Sequence, residues 1–104
     1  MILEERNYTL AAAHLRAFLS AYEAEGLALQ TRHLGRLVGY FTTETGVLNQ
    51  VVHLWAYDDY EDRRTRRAAL WADPDWTAYA DRVLPWIDRM ETRLLVPTAF
   101  SPMR

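Results

Sequence analysis

His53 is the side chain in this sequence best suited to acid–base chemistry. It stands within Val51-Val52-His53-Leu54-Trp55-Ala56-Tyr57, a run of β-branched and aromatic residues typical of a strand. Imidazole is also the one side chain whose ordinary pKa lies beside neutrality. A second cluster opens the chain. Alternation along Ile2-Leu3-Glu4-Glu5-Arg6-Asn7-Tyr8-Thr9 puts Glu4, Arg6 and Tyr8 on one strand face and Glu5 and Asn7 on the other. A carboxylate and a guanidinium two residues apart can pair, and if buried they must, because an unpaired buried charge costs several kcal/mol. Two readings fit. One is a structural ion pair on a partly wet strand. The other is a polar cluster lining a cavity, where Arg6 fixes an anionic or carbonyl oxygen and His53 moves a proton. Tyr8 and Tyr40 would donate hydrogen bonds, Asn49 and Glu4 would extend the polar edge, and Trp55 would wall a ring. A hydrogen-bonded core role is the bland alternative for each.

Other chemistries find less support. His14, His33 and His53 have no metal-ligand spacing, and cysteine is absent, so neither a metal nor another cofactor is expected. Ser20 and Ser101 lie in no nucleophile elbow. Gly26, Gly35, Gly39 and Gly46 make no phosphate loop. The run Arg63-Arg64-Thr65-Arg66-Arg67 follows Asp58, Asp59, Glu61 and Asp62, the stabilising order of a solvated helix face. With a formal charge of −2 and a pI near 5.9, a nucleic-acid partner is not expected. No apolar run approaches the roughly 20 residues of a membrane span. The acidic start Glu4-Glu5 is unlike a signal peptide, so a cytoplasmic location is the expectation.

The elements that must position these residues follow from periodicity and punctuation, in the order βαββαβ within one domain, residues 1–104. Residues 2–9 read as a strand. Residues 12–25 read as a helix with the stripe Leu15, Phe18, Leu19 and Tyr22, ended by Gly26. Residues 37–43 and 48–57 read as an antiparallel hairpin around Gly46. Asp58 or Asp59 caps a helix over residues 60–72, and Asp73-Pro74 restarts the chain as cap and first helical residue. The stripe Trp76, Tyr79, Ala80, Val83, Ile87 and Met90 extends that helix to residue 89 or 90, interrupted at Pro85, and residues 92–96 form the last strand. Trp71, Trp76, Trp86 and Tyr79 serve helix packing or wall a flat ligand.

This order is the ferredoxin-like α+β arrangement, a four-stranded antiparallel sheet with helices on one face. In the third strand Val52, Leu54 and Ala56 point one way, and Val51, His53, Trp55 and Tyr57 the other. Both sets are largely apolar, so both faces are expected out of water, and one helix layer covers only one. A homodimer packed sheet to sheet, with higher oligomers open, would cover the second.

The opening Ile2-Leu3-Glu4-Glu5-Arg6-Asn7-Tyr8-Thr9-Leu10, the hairpin Gly35-Arg36-Leu37-Val38-Gly39-Tyr40-Phe41 and Gly46 to Tyr57, Asp73-Pro74-Asp75-Trp76, and the tail Pro97-Thr98-Ala99-Phe100-Ser101-Pro102 together resemble the NIPSNAP family. The resemblance covers nearly the whole chain. It implies a dimeric α/β barrel and no settled reaction. Members of the wider superfamily include cofactor-free monooxygenases, isomerases and haem-binding enzymes, which implies a small-molecule pocket between sheet and helices or near the dimer seam, with an aromatic compound as the expected ligand. A non-catalytic interaction or oligomerisation module is the rival. Glu5 stands where the family usually has an aliphatic residue, and Ala11-Ala12-Ala13 where it often has a Pro-Gly turn.

Overall fold

The computed structural model describes all residues, Met1–Arg104. Strand β1 (Ile2–Leu10) leads through a 3-10 turn (Ala12–His14) into α1 (Leu15–Ala21), a π-helical turn (Tyr22–Gly26) and α2 (Leu27–Leu34). Strands β2 (Arg36–Thr42) and β3 (Gln50–Tyr57) follow, then α3 (Tyr60–Ala72), α4 (Pro74–Val83), a 3-10 turn (Leu84–Trp86) and β4 (Ile87–Leu95). The sheet order is β2-β3-β1-β4, and every pairing is antiparallel. This is the ferredoxin-like α+β fold. The sheet is open, with β2 and β4 as edges, so no barrel closes within one chain. No helix is long and apolar enough to cross a membrane.

The helix starts follow the sequence closely. The Asp59 carboxylate accepts from the Asp62 amide at 2.7 Å, and Asp73 accepts from the Asp75 amide at 2.9 Å. Each side chain satisfies an amide that the first turn leaves without a helical partner. Two boundaries differ from expectation. Gly26 does not end the first helix; its φ is −66° and the helical run continues to Leu34. The left-handed C-terminal glycine is Gly35, at φ +90°, whose amide reaches the Thr31 carbonyl. Gly26 instead makes room: a Cβ there would lie 2.7 Å from the rings of Tyr22 and Tyr79. The second difference is at the C-terminal end. Ile87 and Met90 belong to β4, not to a helix. Pro85 cannot supply the N–H that an α-helix needs, so α4 stops at Val83 and the chain turns into the strand.

Burial alternates along β1, with Ile2, Glu4, Arg6, Tyr8 and Leu10 turned toward the helices. In β3, Val51, His53, Trp55 and Tyr57 face the same way. In β2 a bulge lies between Leu37 and Gly39, so Leu37 stands opposite Trp55 and Tyr40 opposite His53. Three-residue spacing thus places both on the inner face. The opposite face is divided. Phe41 and Val38, 54% and 43% exposed, sit beside Val52 and Leu54 on an apolar half. The β1–β4 half is polar: Glu5 accepts from Asn7 Nδ2 at 2.9 Å and from Arg93 Nη2 at 2.8 Å. The expectation of two dry faces therefore fits half of this face, and Glu5 is accommodated by its Arg93 pair. Beyond β4, Val96 and Phe100 project into solvent.

Candidate functional site

Four inward residues form one row across the sheet: Tyr40 on β2, His53 on β3, Arg6 on β1 and Thr92 on β4. Above the His53–Arg6 part of this row lies a cavity roofed by Phe18, Tyr22 and Gln30 of the first helical run, Arg67 and Leu70 of α3, and Trp76, Tyr79 and Val83 of α4. The cavity volume is about 50 Å³, or about 500 Å³ when the space open to solvent is counted. Trp71, Leu84 and Met90, each more than a third exposed, form the mouth.

Glu4 is fully buried beneath this floor. Its Oε2 accepts from Arg6 Nη1 at 3.1 Å, Arg63 Nη2 at 2.6 Å, Arg63 Nε at 3.2 Å and Thr92 Oγ1 at 2.8 Å. Burial alone would raise its pKa; the Arg63 hydrogen bonds, the Arg6 charge and Thr92 more than offset that, so the carboxyl lies below its ordinary value. Arg6 donates its Nε–H to the Tyr8 hydroxyl at 2.9 Å. Burial disfavours its charge, but Tyr8 and Glu4 more than compensate. The Glu4–Arg6 ion pair is thus buried rather than partly wet, and Arg6 also lines the cavity.

His53 is wholly buried. Its ring stacks on Tyr40 at 4.6 Å and meets the Tyr8 ring edge-on at 4.9 Å. Trp55 donates its indole N–H to Nδ1 at 2.8 Å. That assigns the proton to Nε2, because a neutral imidazole has one donor and one acceptor. Burial, then the positive charge of Arg6, push the ring pKa down to about 3. His53 is therefore a neutral, fixed hydrogen-bond donor. With the Nδ1 lone pair engaged and Nε2 already protonated, this geometry supports the proton-moving role least. The Nε2 atom has no partner in the protein, nor do the Trp76 indole nitrogen and the Tyr79 hydroxyl, and all three residues line the cavity. Burial holds the Tyr22, Tyr40 and Tyr79 hydroxyls above their ordinary pKa, so they stay protonated. Tyr22 donates to Gln30 Oε1 at 2.7 Å across the π-helical turn, whose signature is the Leu27 amide bonding to the Tyr22 carbonyl.

Of the residues singled out from sequence, Arg6, Tyr8, Tyr40 and His53 meet at the cavity. Glu4 and Trp55 stand behind it, orienting Arg6 and His53. Asn49 is elsewhere: it adopts φ +58° at the end of the hairpin loop, and its carbonyl accepts the Leu10 amide at 2.8 Å. Arg63 and Arg67 were hidden within a run that reads as solvated. Arg64 and Arg66 do pair outward, with Glu61 and Asp62. Arg63 and Arg67 face inward with Leu70; their four- and three-residue spacing was the available signal.

A NIPSNAP family model matches residues 3–102. A putative NipSnap protein of Caenorhabditis elegans is 32% identical over 98% of this chain, which spans 19% of that relative. Human NipSnap homolog 3A is 36% identical over 90% of this chain, which spans 39% of it. The chain thus covers well under half the length of these relatives. Among solved structures, a protein of Agrobacterium tumefaciens is 40% identical with a TM-score of 0.96, each chain covered in full. A NIPSNAP-like domain protein of Burkholderia xenovorans is 50% identical with a TM-score of 0.92, covering 97% of this chain and 88% of that one. A putative antibiotic biosynthesis monooxygenase of Nitrosomonas europaea, 14% identical with a TM-score of 0.69 over 93% of this chain and 98% of that one, shares the fold alone. The match runs through the strand that carries Arg6, the hairpin that carries Tyr40 and His53, and the helices that roof them, and on it the chain belongs to the NIPSNAP family.

Proposed function

We propose that this chain is a small-molecule-binding protein whose ligand enters between the sheet and helices α3 and α4. One observation carries the reading. His53 Nε2, Trp76 Nε1 and the Tyr79 hydroxyl are buried polar atoms without a protein partner, and all three residues line one cavity. An unsatisfied buried donor costs about 1–3 kcal/mol, so the His53 and Trp76 donors, on residues that line the same cavity, favour a bound molecule that satisfies them, whereas the Tyr79 hydroxyl lies against Gly26. The neutral, donor-only state of His53 supports binding over proton transfer. A thermal-shift screen of aromatic acids and quinones against wild type and Leu84→Trp tests the reading. Leu84 stands at the mouth, 38% exposed, so a larger side chain there obstructs entry without entering the core. Shifts in wild type that disappear in Leu84→Trp support the site; equal shifts in both proteins, or none in either, refute it.

A second reading concerns assembly. The exposed Phe41 and Val38 beside Val52 and Leu54 support a homodimer that covers the open sheet face. In sedimentation velocity at micromolar concentration, wild type should run as a dimer and Phe41→Asp as a folded monomer. A monomeric wild type overturns this reading and leaves the cavity reading untouched.

A further inference from the structure

We infer that the ligand is an organic anion of the carboxylate class, anchored at its charged end by Arg67 and Arg6, with its body lying between the aromatic side chains of the mouth. The inference rests on the cavity being a ligand site and names what that site takes.

Two guanidinium groups, Arg6 and Arg63, bond one carboxylate, Glu4, and a third, Arg67, lies near enough for its charge to be felt by all three. Arg63 and Arg6 spend their contacts on it. The Arg67 side chain forms no ion pair and no hydrogen bond within the protein. Burial disfavours its charge and Arg6 and Arg63 repel it, which together outweigh the attraction of Glu4 and Tyr57. The neighbouring acids are engaged elsewhere: Glu61 with Arg64, Asp62 with Arg66, and Glu5 with Arg93 on the other sheet face. The cluster is therefore short of negative charge on its cavity side.

The uncharged groups agree. The His53 Nε2–H and the Trp76 indole N–H only donate. The Gln30 side-chain oxygen is already taken by Tyr22, which leaves its amide hydrogens. Arg6 uses Nε for Tyr8 and Nη1 for Glu4, leaving Nη2 without a protein partner. A wall of donors beside surplus positive charge selects a ligand rich in acceptors. A planar guanidinium matches a carboxylate in two-point geometry. The rest of the lining is apolar, with Trp71 and Trp76 edge to face at 5.8 Å, which favours an organic acid over a small inorganic oxyanion.

The test is a titration of the full chain followed by amide and indole N–H NMR signals, with 4-phenylbutyrate and cyclohexanecarboxylate, their primary amides, and inorganic phosphate. The acids should bind at least tenfold tighter than the amides and than phosphate, and should shift the Trp76 indole signal. Arg67→Gln should abolish the preference for acid over amide, Arg67→Lys should restore part of it, and Arg64→Gln, on the outer side of the same helix, should leave it unchanged. Unliganded Arg67→Gln should melt no lower than wild type, since it removes a repelled charge. Amides that shift the Trp76 signal and bind as tightly as the acids overturn the inference while the cavity reading stands, as does phosphate binding as tightly as the acids. A preference that survives Arg67→Gln, or a lowered melting temperature for that variant, overturns the role of Arg67. No binding by any probe overturns both the inference and the reading beneath it.

Discussion

Replacing Glu4 by glutamine tests the electrostatic frame of the site. The substitution keeps the shape and one acceptor oxygen but removes the charge on which Arg6, Arg63 and Thr92 converge. Arg6 is only 9% exposed, and Arg67 has no carboxylate of its own. Without Glu4 this positive cluster has no compensating charge. Breaking one side of a buried ion pair costs about 3–5 kcal/mol. Because Arg63 can turn toward solvent, the lower end, ~3 kcal/mol, is expected at pH 7. In a domain of this size each kcal/mol moves the melting temperature by about 4–8 °C, so a fall of roughly 12–24 °C should follow. The acid limb gives a second check. The folded Glu4 carboxyl lies below its ordinary value, so its contribution is complete above the unfolded pKa of about 4.3 and is lost as pH falls through the folded value. Urea denaturation followed by circular dichroism from pH 7 to pH 3 should show the wild-type advantage narrowing only at the acid end. A double-mutant cycle with Arg63→Gln should give a coupling of about 1–3 kcal/mol. A loss below about 1 kcal/mol at pH 7, or a gap that does not narrow on acidification, refutes the frame.

Two further outcomes follow. Gly26→Ala should destabilise by about 1–3 kcal/mol in urea, because its Cβ would meet the Tyr22 and Tyr79 rings at 2.7 Å in a helix whose φ of −66° is otherwise comfortable for alanine; a neutral or stabilising effect contradicts the packing. The His53 ring should show the Nε2–H tautomer by long-range ¹H–¹⁵N NMR and should not titrate between pH 8 and pH 4.5, since its folded pKa is pushed down to about 3. By linkage, the unfolded chain takes up this proton below about pH 6.5 and the folded one does not, so His53 lowers stability as pH falls through that value. A midpoint near 6.5 in the folded protein contradicts the assignment.

Much of the fold was legible because its signals are local. Asp59 and Asp73-Pro74 mark helix starts through their own backbone geometry. Two-residue alternation placed Glu4, Arg6 and Tyr8 together, and the pairing of β1 with β3 set Arg6 opposite His53. Gly26 misled because a glycine in a helix and a glycine ending one look alike until the packed rings are known. Ile87 and Met90 misled because the helical stripe continues past Pro85 by coincidence, while pairing with a distant strand decides their state. Arg67 was illegible for a related reason. Within a charged run, inward and outward arginines are separated only by their phase against Leu70 and by which acids are already engaged.

The aromatic pair Tyr22 and Tyr40, with ring centroids 4.5 Å apart, has a shared origin. Each sits beside one surplus residue, the π-helical turn in one case and the β2 bulge in the other. Removing either surplus would restore textile-like regularity to its element and rotate the tyrosine out of alignment with its counterpart. The cavity is thus assembled from two local frameshifts in otherwise regular secondary structure, and shortening either segment by one position would leave a tidier backbone around a dismantled wall.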